Sequence, residues 1–378
     1  MKLMHLSDLH LGKRVNEFSM MEDQKYILDE IIKIADTEKP DSVLICGDVY
    51  DKSVPSAEAV ELLDDFLCRL AERNLKVLMI SGNHDSAERV AFGGRLMEGS
   101  GVHISPVYDG TVDCVTMSDQ WGEVRIYLLP FLKPAHVRRF YPDEETESYT
   151  EALRTALTHA NIDREARNVL LTHQFVTGAT RCDSEELSVG GTDNIDASIF
   201  DDFDYVALGH IHGPQHVGRE TIRYSGSPLK YSFSEAKHQK SVTIVEMRKK
   251  GNIGIRAVPL IPMHDMREIR GTYMELTARS FYGRMVTDDY LHITLTDEND
   301  IPNAFGKLNV IYPNLMKLSY DNARTRGSYT AKMTTEGETM SPPEVFAKFF
   351  ERQNRRSMTD EQKEYILRLT ERIWEDEA

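Results

Sequence analysis

An α/β fold is predicted by three features of the chain. Short apolar runs recur through about the first 250 residues, segments with the period of amphipathic helices lie between several of them, and a length of 378 residues calls for two or three domains rather than one. The runs at 2–5, 42–46, 76–80, 124–129, 168–172, 205–208 and 241–246 are short and apolar, and read as strands. Segments 20–35, 56–73 and 147–160 place apolar residues at helical spacing and read as helices. Alternation of this kind builds a largely parallel or mixed sheet.

After Pro259 and Pro262 the pattern changes. A strand-like run at 290–296 and the pair Pro313-Asn314 suggest a small α+β domain. Segment 327–343 is rich in Thr, Ser, Gly, Glu and Pro, the composition of a linker. Two amphipathic helices follow. Ser341 with Pro342-Pro343 can start the first, whose Val345, Phe346, Phe349 and Phe350 share a face. Thr359-Asp360-Glu361-Gln362 has capping-box spacing for the second, whose stripe is Ile366, Leu369, Ile373 and Trp374. The expected division is 1–262, 263–327, a linker at 328–340, and a helical segment at 341–378.

The net charge of −16 argues against a protein held on DNA or on an anionic membrane by its global field. No stretch approaches 18 uncharged apolar residues, so no membrane span is expected, and the opening residues carry no signal-peptide h-region. Cys46, Cys68, Cys114 and Cys182 are far apart, which suggests neither a disulfide framework nor a thiolate zinc site, and a reducing cytoplasm is the expected location. An acidic protein can still act on phosphate esters if bound cations supply the positive charge.

The chemistry-bearing residues fall where strands end. The first strand runs into Ser7-Asp8-Leu9-His10, the second into Gly47-Asp48-Val49-Tyr50-Asp51 and the third into Gly82-Asn83-His84-Asp85. Two later runs end in Thr172-His173-Gln174 and Gly209-His210-Ile211-His212. Ligands bind beyond the carboxyl ends of strands in α/β sheets, so these fragments can converge. Asp8, Asp48, Asn83 and the histidines offer oxygen and nitrogen without sulfur, a set suited to Mn²⁺, Fe²⁺ or Zn²⁺, and two ions about 3.5–4 Å apart need a shared carboxylate. The other histidines, His5, His103, His136, His159, His216, His238, His264 and His292, are expected to be ordinary.

In order and type, these five fragments resemble the motif set of the calcineurin-like metallophosphoesterases. Longer matches at 6–12, 47–55, 224–228 and 231–235 point to the DNA double-strand-break repair nucleases of that superfamily, bacterial subunits that work with a coiled-coil ATPase. The resemblance implies two mixed sheets flanked by helices, with the small domain as a cap that contacts DNA. It implies one cation held by Asp8, His10, Asp48 and His212 and a second held by Asp48, Asn83, His173 and His210, with Asp48 as the bridge and manganese favoured. His84 is implied to face the scissile phosphate, and Asp51 either orients His84 or caps the next helix. The implied reaction is in-line attack on phosphorus with no covalent enzyme intermediate.

The scaffold alone does not fix the substrate. Asp51-Lys52-Ser53 stands where phosphoprotein phosphatases of this superfamily carry Asp-Arg-Gly, and about 165 residues follow His212, more than small nucleotide phosphodiesterases of this class usually have. A non-catalytic scaffold is disfavoured by the complete ligand set. The expectation is therefore a manganese-dependent DNA nuclease, a 3′–5′ duplex exonuclease and single-strand or hairpin endonuclease serving DNA repair, recombination and replication. It would be cytoplasmic and nucleoid-associated. Lys13, Arg14, Arg89, Lys237, Lys240, Arg324 and Arg326 are candidate DNA contacts, whereas Phe18, Tyr231 and Phe233 are expected to pack. Val60, Leu63, Phe66, Leu67 and Leu70 form one helical face, which serves either the chain's own core or the homodimer the resemblance implies. The C-terminal helices are assigned to the ATPase partner.

Overall fold

The computed structural model describes residues 1–185, 194–322, 325, 342–354 and 357–375. The expected linker at 328–340, Arg324 and Arg326 lie outside the described residues, as do the side chains of Val345, Ile373 and Trp374. The principal elements begin with β1 (Lys2–Leu6), α1 (Met21–Glu38), β2 (Ser42–Cys46), α2 (Ala57–Glu72), β3 (Lys76–Ile80) and β4 (Val102–Ile104). Next come β5 (Asp113–Asp119), β6 (Gly122–Leu129), α3 (Tyr149–Thr158), β7 (Arg167–His173), β8 (Tyr205–Gly209), β9 (Gln215–Val217) and β10 (Arg219–Tyr224). The chain continues through β11 (Ser241–Met247), β12 (Ile253–Pro259), β13 (Met266–Gly271), β14 (Tyr290–Leu295), β15 (Leu315–Tyr320), α4 (Pro342–Asn354) and α5 (Asp360–Glu375).

The strands build two six-stranded mixed sheets, ordered β12-β11-β1-β2-β3-β4 and β9-β10-β8-β7-β6-β5. In the first, β1 to β4 run parallel and β11 pairs antiparallel with β1. In the second, β6, β7, β8 and β10 run parallel. Successive strand residues face opposite sides, so each central strand feeds two cores. Leu3, Leu44, Cys46, Leu78 and Ile80 meet Ile126, Leu128, Val169, Leu171, Tyr205 and Ala207 between the sheets. Their neighbours Met4, Val43, Ile45, Val77 and Met79 turn outward against α1 and α2. On the second sheet Tyr127, Leu129, Leu170, Val206 and Leu208 face α3. The result is a helix–sheet–sheet–helix sandwich.

Local signals start the helices. The Ser56 hydroxyl accepts from the Ala59 N–H and caps α2, so Asp51 is not its cap. Ser148 and Glu151 form a capping box for α3. On α2, Leu63, Phe66, Leu67 and Leu70 are buried in the chain's own core, and only Val60 of the predicted face is exposed. In the two large sheets, strands β4, β5, β9, β10 and β12 are absent from the sequence reading. They lie at or beside sheet edges, and most carry polar or small residues among the apolar ones, as in Arg219-Glu220-Thr221-Ile222-Arg223-Tyr224.

Met1–Thr294 with Asn303–Ser319 forms one compact unit, and Leu295–Pro302 with Tyr320–Ala378 a second. The first contains both large sheets, and Phe18, Tyr231 and Phe233 all pack within it: Phe18 lies edge-on to Tyr290, Tyr231 beside His10, and Phe233 against His292. In the second, the predicted capping box holds. Gln362 N–H donates to Thr359 Oγ1 at 3.3 Å, and Thr359 N–H to Gln362 Oε1 at 3.0 Å. Phe346, Phe349 and Leu369 remain exposed there. No helix among the described residues is long and apolar enough to cross a membrane.

Phe66 fills the space between α2 and the first sheet at 1% exposure. Phe66→Ala is expected to lower stability by about 3–5 kcal/mol, measured as a shift of the denaturant unfolding midpoint.

Candidate metal centre

The parallel strands β1, β2 and β3 point their carboxyl ends the same way, and the loops that leave them are laced together. Asp8 N–H donates to the Gly47 carbonyl at 3.1 Å, and His10 and Leu11 donate to Asp48 and Val49 at 2.9 Å. The Asp85 carboxylate collects the N–H groups of Val49, Tyr50 and Gly82, joining the second loop to the third. The other sheet contributes through β7 and β8, paired in register at His173 and Gly209. His173 crosses the gap, its Nδ1–H donating to the Cys46 carbonyl at 2.8 Å.

Two glycines permit this convergence. A Cβ on Gly209 would lie 1.8 Å from the Cys46 carbonyl oxygen, and one on Gly82 would lie 2.1 Å from Asp48 Oδ1. Asp8, His10, Asp48 and His210 themselves have positive φ, at 54°, 44°, 47° and 100°. Such conformations cost about 1–3 kcal/mol each and persist only where surrounding bonds enforce them. The bonds are present: His210 N–H donates to both oxygens of Asp8, at 3.0 and 3.2 Å.

All eight predicted centre residues meet in one place. Asp8, His10 and His212 can offer donor atoms within 4.8 Å of one another, as can Asp8, Asp48 and His173, and His10, Asp48 and His84. Asn83 Oδ1 lies 3.0 Å from His173 Nε2 and 2.9 Å from His210 Nδ1. The donor set fits divalent cations on three counts. His10 Nε2 and His212 Nε2 face each other at 3.1 Å. Among the described residues, His10 Nδ1 and His210 Nε2 are buried with no hydrogen-bond partner. Two carboxylates, Asp8 and Asp48, are buried side by side.

The electrostatics agree. Burial holds the His10 imidazole well below its ordinary value and pushes His210 down to about 3, so both keep lone pairs to share. Burial would lower His173 too, but the Asp48 carboxylate outweighs it and raises the imidazole to about 9. That opposing pull shows how strongly the carboxylates of the pocket favour positive charge beside them.

Asp51 meets His84 through its main chain rather than its side chain. The His84 Nδ1–H donates to the Asp51 main-chain carbonyl at 3.1 Å, while the Asp51 carboxylate pairs with Lys13 at 2.6 Å. Of the candidate DNA contacts, Arg14, Arg89 and Lys237 are exposed, and Lys13 is committed to Asp51. Lys240 is not available to a phosphate. It is 3% exposed and donates to Glu235, Ser227 and the His212 carbonyl. Sequence reasoning gave no role to Gln24 and Asp23 on α1. Gln24 donates to the His10 carbonyl at 2.7 Å, and the buried Asp23 accepts from the His264 N–H and from Tyr290 Oη. An Asp-Gln pair on the otherwise apolar inner face of the helix was the available signal.

A family model described as Calcineurin-like phosphoesterase matches residues 1–214. The sandwich and the buried Asp/His cluster define a phosphoesterase of that class, and the chain belongs to that family. Residues 262–354 match a model described as Type 5 capsule protein repressor C-terminal domain. The SbcD subunit of the nuclease SbcCD from Staphylococcus epidermidis is 35% identical over 323 residues, covering 84% of this chain and 85% of that protein. Its namesake from Staphylococcus saprophyticus is also 35% identical over 323 residues, covering 84% of each. Within the phosphoesterases the chain belongs to this SbcD nuclease family, hydrolytic enzymes that use divalent metal.

Because a Cβ at residue 82 would strike the Asp48 carboxylate, Gly82→Ala is expected to weaken divalent-cation binding by about tenfold or more. Calorimetric titration with Mn²⁺ measures it.

Proposed function

We propose that the chain is the manganese-dependent DNA nuclease component of an SbcC-type ATPase complex, cleaving duplex ends 3′–5′ and single strands or hairpins internally. The observation that carries the reading is the convergence of Asp8, His10, Asp48, Asn83, His173, His210 and His212 from five strand ends around His84. In this reading Asp8, His10, Asp48 and His212 hold one cation, and Asp48, Asn83, His173 and His210 hold the other. Bound there, the pair would supply the charge that neutralises a phosphoryl group and makes water acidic. His84 does the remaining work. Its Nδ1–H is committed to the Asp51 carbonyl, so Nε2 is the atom left to meet a phosphate oxygen, and in the imidazolium form the second proton, on Nε2, steadies developing charge or passes to the leaving group.

The division of labour follows the sequence. Residues 1–262 make the nuclease, 263–327 cap it and touch DNA, and 341–378 grip the base of the partner's coiled coil. Exposed Phe346, Phe349 and Leu369 support the last assignment, since so small a helical pair leaves apolar surface for a partner to cover. Homodimerisation belongs to the same reading, with exposed Val60, Phe92 and Leu96 on the segments after the second and third metal loops. The site of action is the cytoplasm, at the nucleoid.

Purified protein with Mn²⁺ is expected to degrade a labelled blunt duplex, and turnover of mononucleotides or phosphoproteins alone would refute the reading. His84→Ala should retain both cations and lose about 10²–10⁴-fold in cleavage rate, whereas Asp48→Ala should lose cations as well. Equal cation loss in the two variants would overturn the role given to His84. Truncation after Gly337 should preserve Mn²⁺-dependent cleavage of exposed ends but abolish co-purification with the ATPase.

A further inference from the structure

His212 is held by residues that the cation reading does not use. Its N–H donates to Glu185 Oε1 at 2.7 Å, and its carbonyl accepts from Lys240 Nζ at 2.8 Å. Its Nδ1 lies 2.8 Å from Ser184 Oγ. The Ser184 hydroxyl lies 2.5 Å from Glu235 Oε1, and Glu235, buried at 0% exposure, is ion-paired through its other oxygen with Lys240 at 2.5 Å.

The chain of bonds has one consistent direction. A carboxylate paired with an ammonium is an acceptor only, so the Ser184 O–H donates to Glu235. With that proton spent, Ser184 Oγ must accept from His212 Nδ1–H. The imidazole then has its lone pair on Nε2, the atom that faces His10 Nε2 at 3.1 Å. Any other tautomer would leave Ser184 Oγ facing an imidazole lone pair with no proton between them. The outer partners therefore fix the ring and choose its donor atom, as carboxylates and carbonyls do behind metal-bound histidines.

We propose that Ser184, oriented by the buried Glu235–Lys240 pair, is a positioning residue that locks the His212 tautomer and so sets cation affinity on the His10/His212 side of the centre. The inference rests on the reading of His212 as a cation ligand. Sequence spacing hides it, because Ser184 lies 28 positions from His212 and Glu235 lies 51 from Ser184.

The test is calorimetric titration of the full chain with Mn²⁺ in the absence of DNA, for the wild type, Ser184→Ala, Ser184→Thr and His212→Ala, each with a melting curve of the cation-free protein. Ser184→Ala is expected to bind one of two Mn²⁺ ions about 10–100-fold more weakly at an unchanged melting temperature, with Ser184→Thr restoring the affinity. Wild-type affinity in Ser184→Ala overturns the proposal, as does an affinity loss that appears only together with a lower melting temperature and is not rescued by threonine. Undiminished binding of both ions by His212→Ala overturns the ligand reading and the proposal with it. Two bound Mn²⁺ ions without DNA cleavage by the wild type would instead refute the nuclease reading alone, and the serine variants would still decide this one.

Discussion

The hydrogen bond from His173 Nδ1 to the Cys46 carbonyl is the contact on which the architecture of the centre turns. It joins the last residue of β7 in one sheet to the last residue of β2 in the other, at the point where Gly209 leaves no room for a side chain. The two sheets meet so closely there that ligands from both enter a single cluster. It also selects the histidine's tautomer: with the proton on Nδ1 engaged by a carbonyl, Nε2 is the atom turned toward Asp48 and Asn83. Cys46 contributes no sulfur chemistry, since its thiol is buried between the sheets and burial pushes it well above its usual range.

Around that contact the molecule accepts an unfavourable arrangement of charge and backbone. Two carboxylates are buried beside each other, and burial raises Asp8 above the ordinary range of an aspartate. Histidines keep Asp48 on the other side of that range despite its burial. The ligand loops also hold non-glycine residues at positive φ. Costs of this kind are tolerated where neighbouring structure over-determines the conformation, and here backbone ladders between the first and second loops and the Asp85 bridge to the third do so.

Much of this was legible in the sequence because strong local patterns carried it. Runs such as Ser42–Cys46 have no solvent-facing side, so they read as continuous apolar stretches, and the ligand residues stand immediately after them. Edge strands were lost because their exposed faces dilute the apolar signal, as in Asp113–Asp119. Pairwise orientation was lost for a different reason. Nothing in the order of residues shows that Asp51 meets His84 through its carbonyl rather than its carboxylate, or that Lys240 is turned inward onto Glu235 instead of outward to solvent. Those outcomes depend on partners distant in sequence, and a lysine between Gln239 and Ser241 looks like surface until Glu235 is placed beside it.

The adjacent pair Asp23-Gln24 gives α1 a mechanical character. Asp23 is bonded to His264 and Tyr290, and Gln24, one residue further along the same helical turn, is bonded to the carbonyls of Leu9 and His10 and to Tyr231 Oη. A displacement of His264 and Tyr290 against the helix must either rupture the Asp23 bonds or rotate that turn. Rotation carries Gln24 with it and drags the backbone of the first ligand loop. Strain arising at His264, and at Tyr290 where β14 begins, is therefore passed toward the loop of His10 through two adjacent side chains.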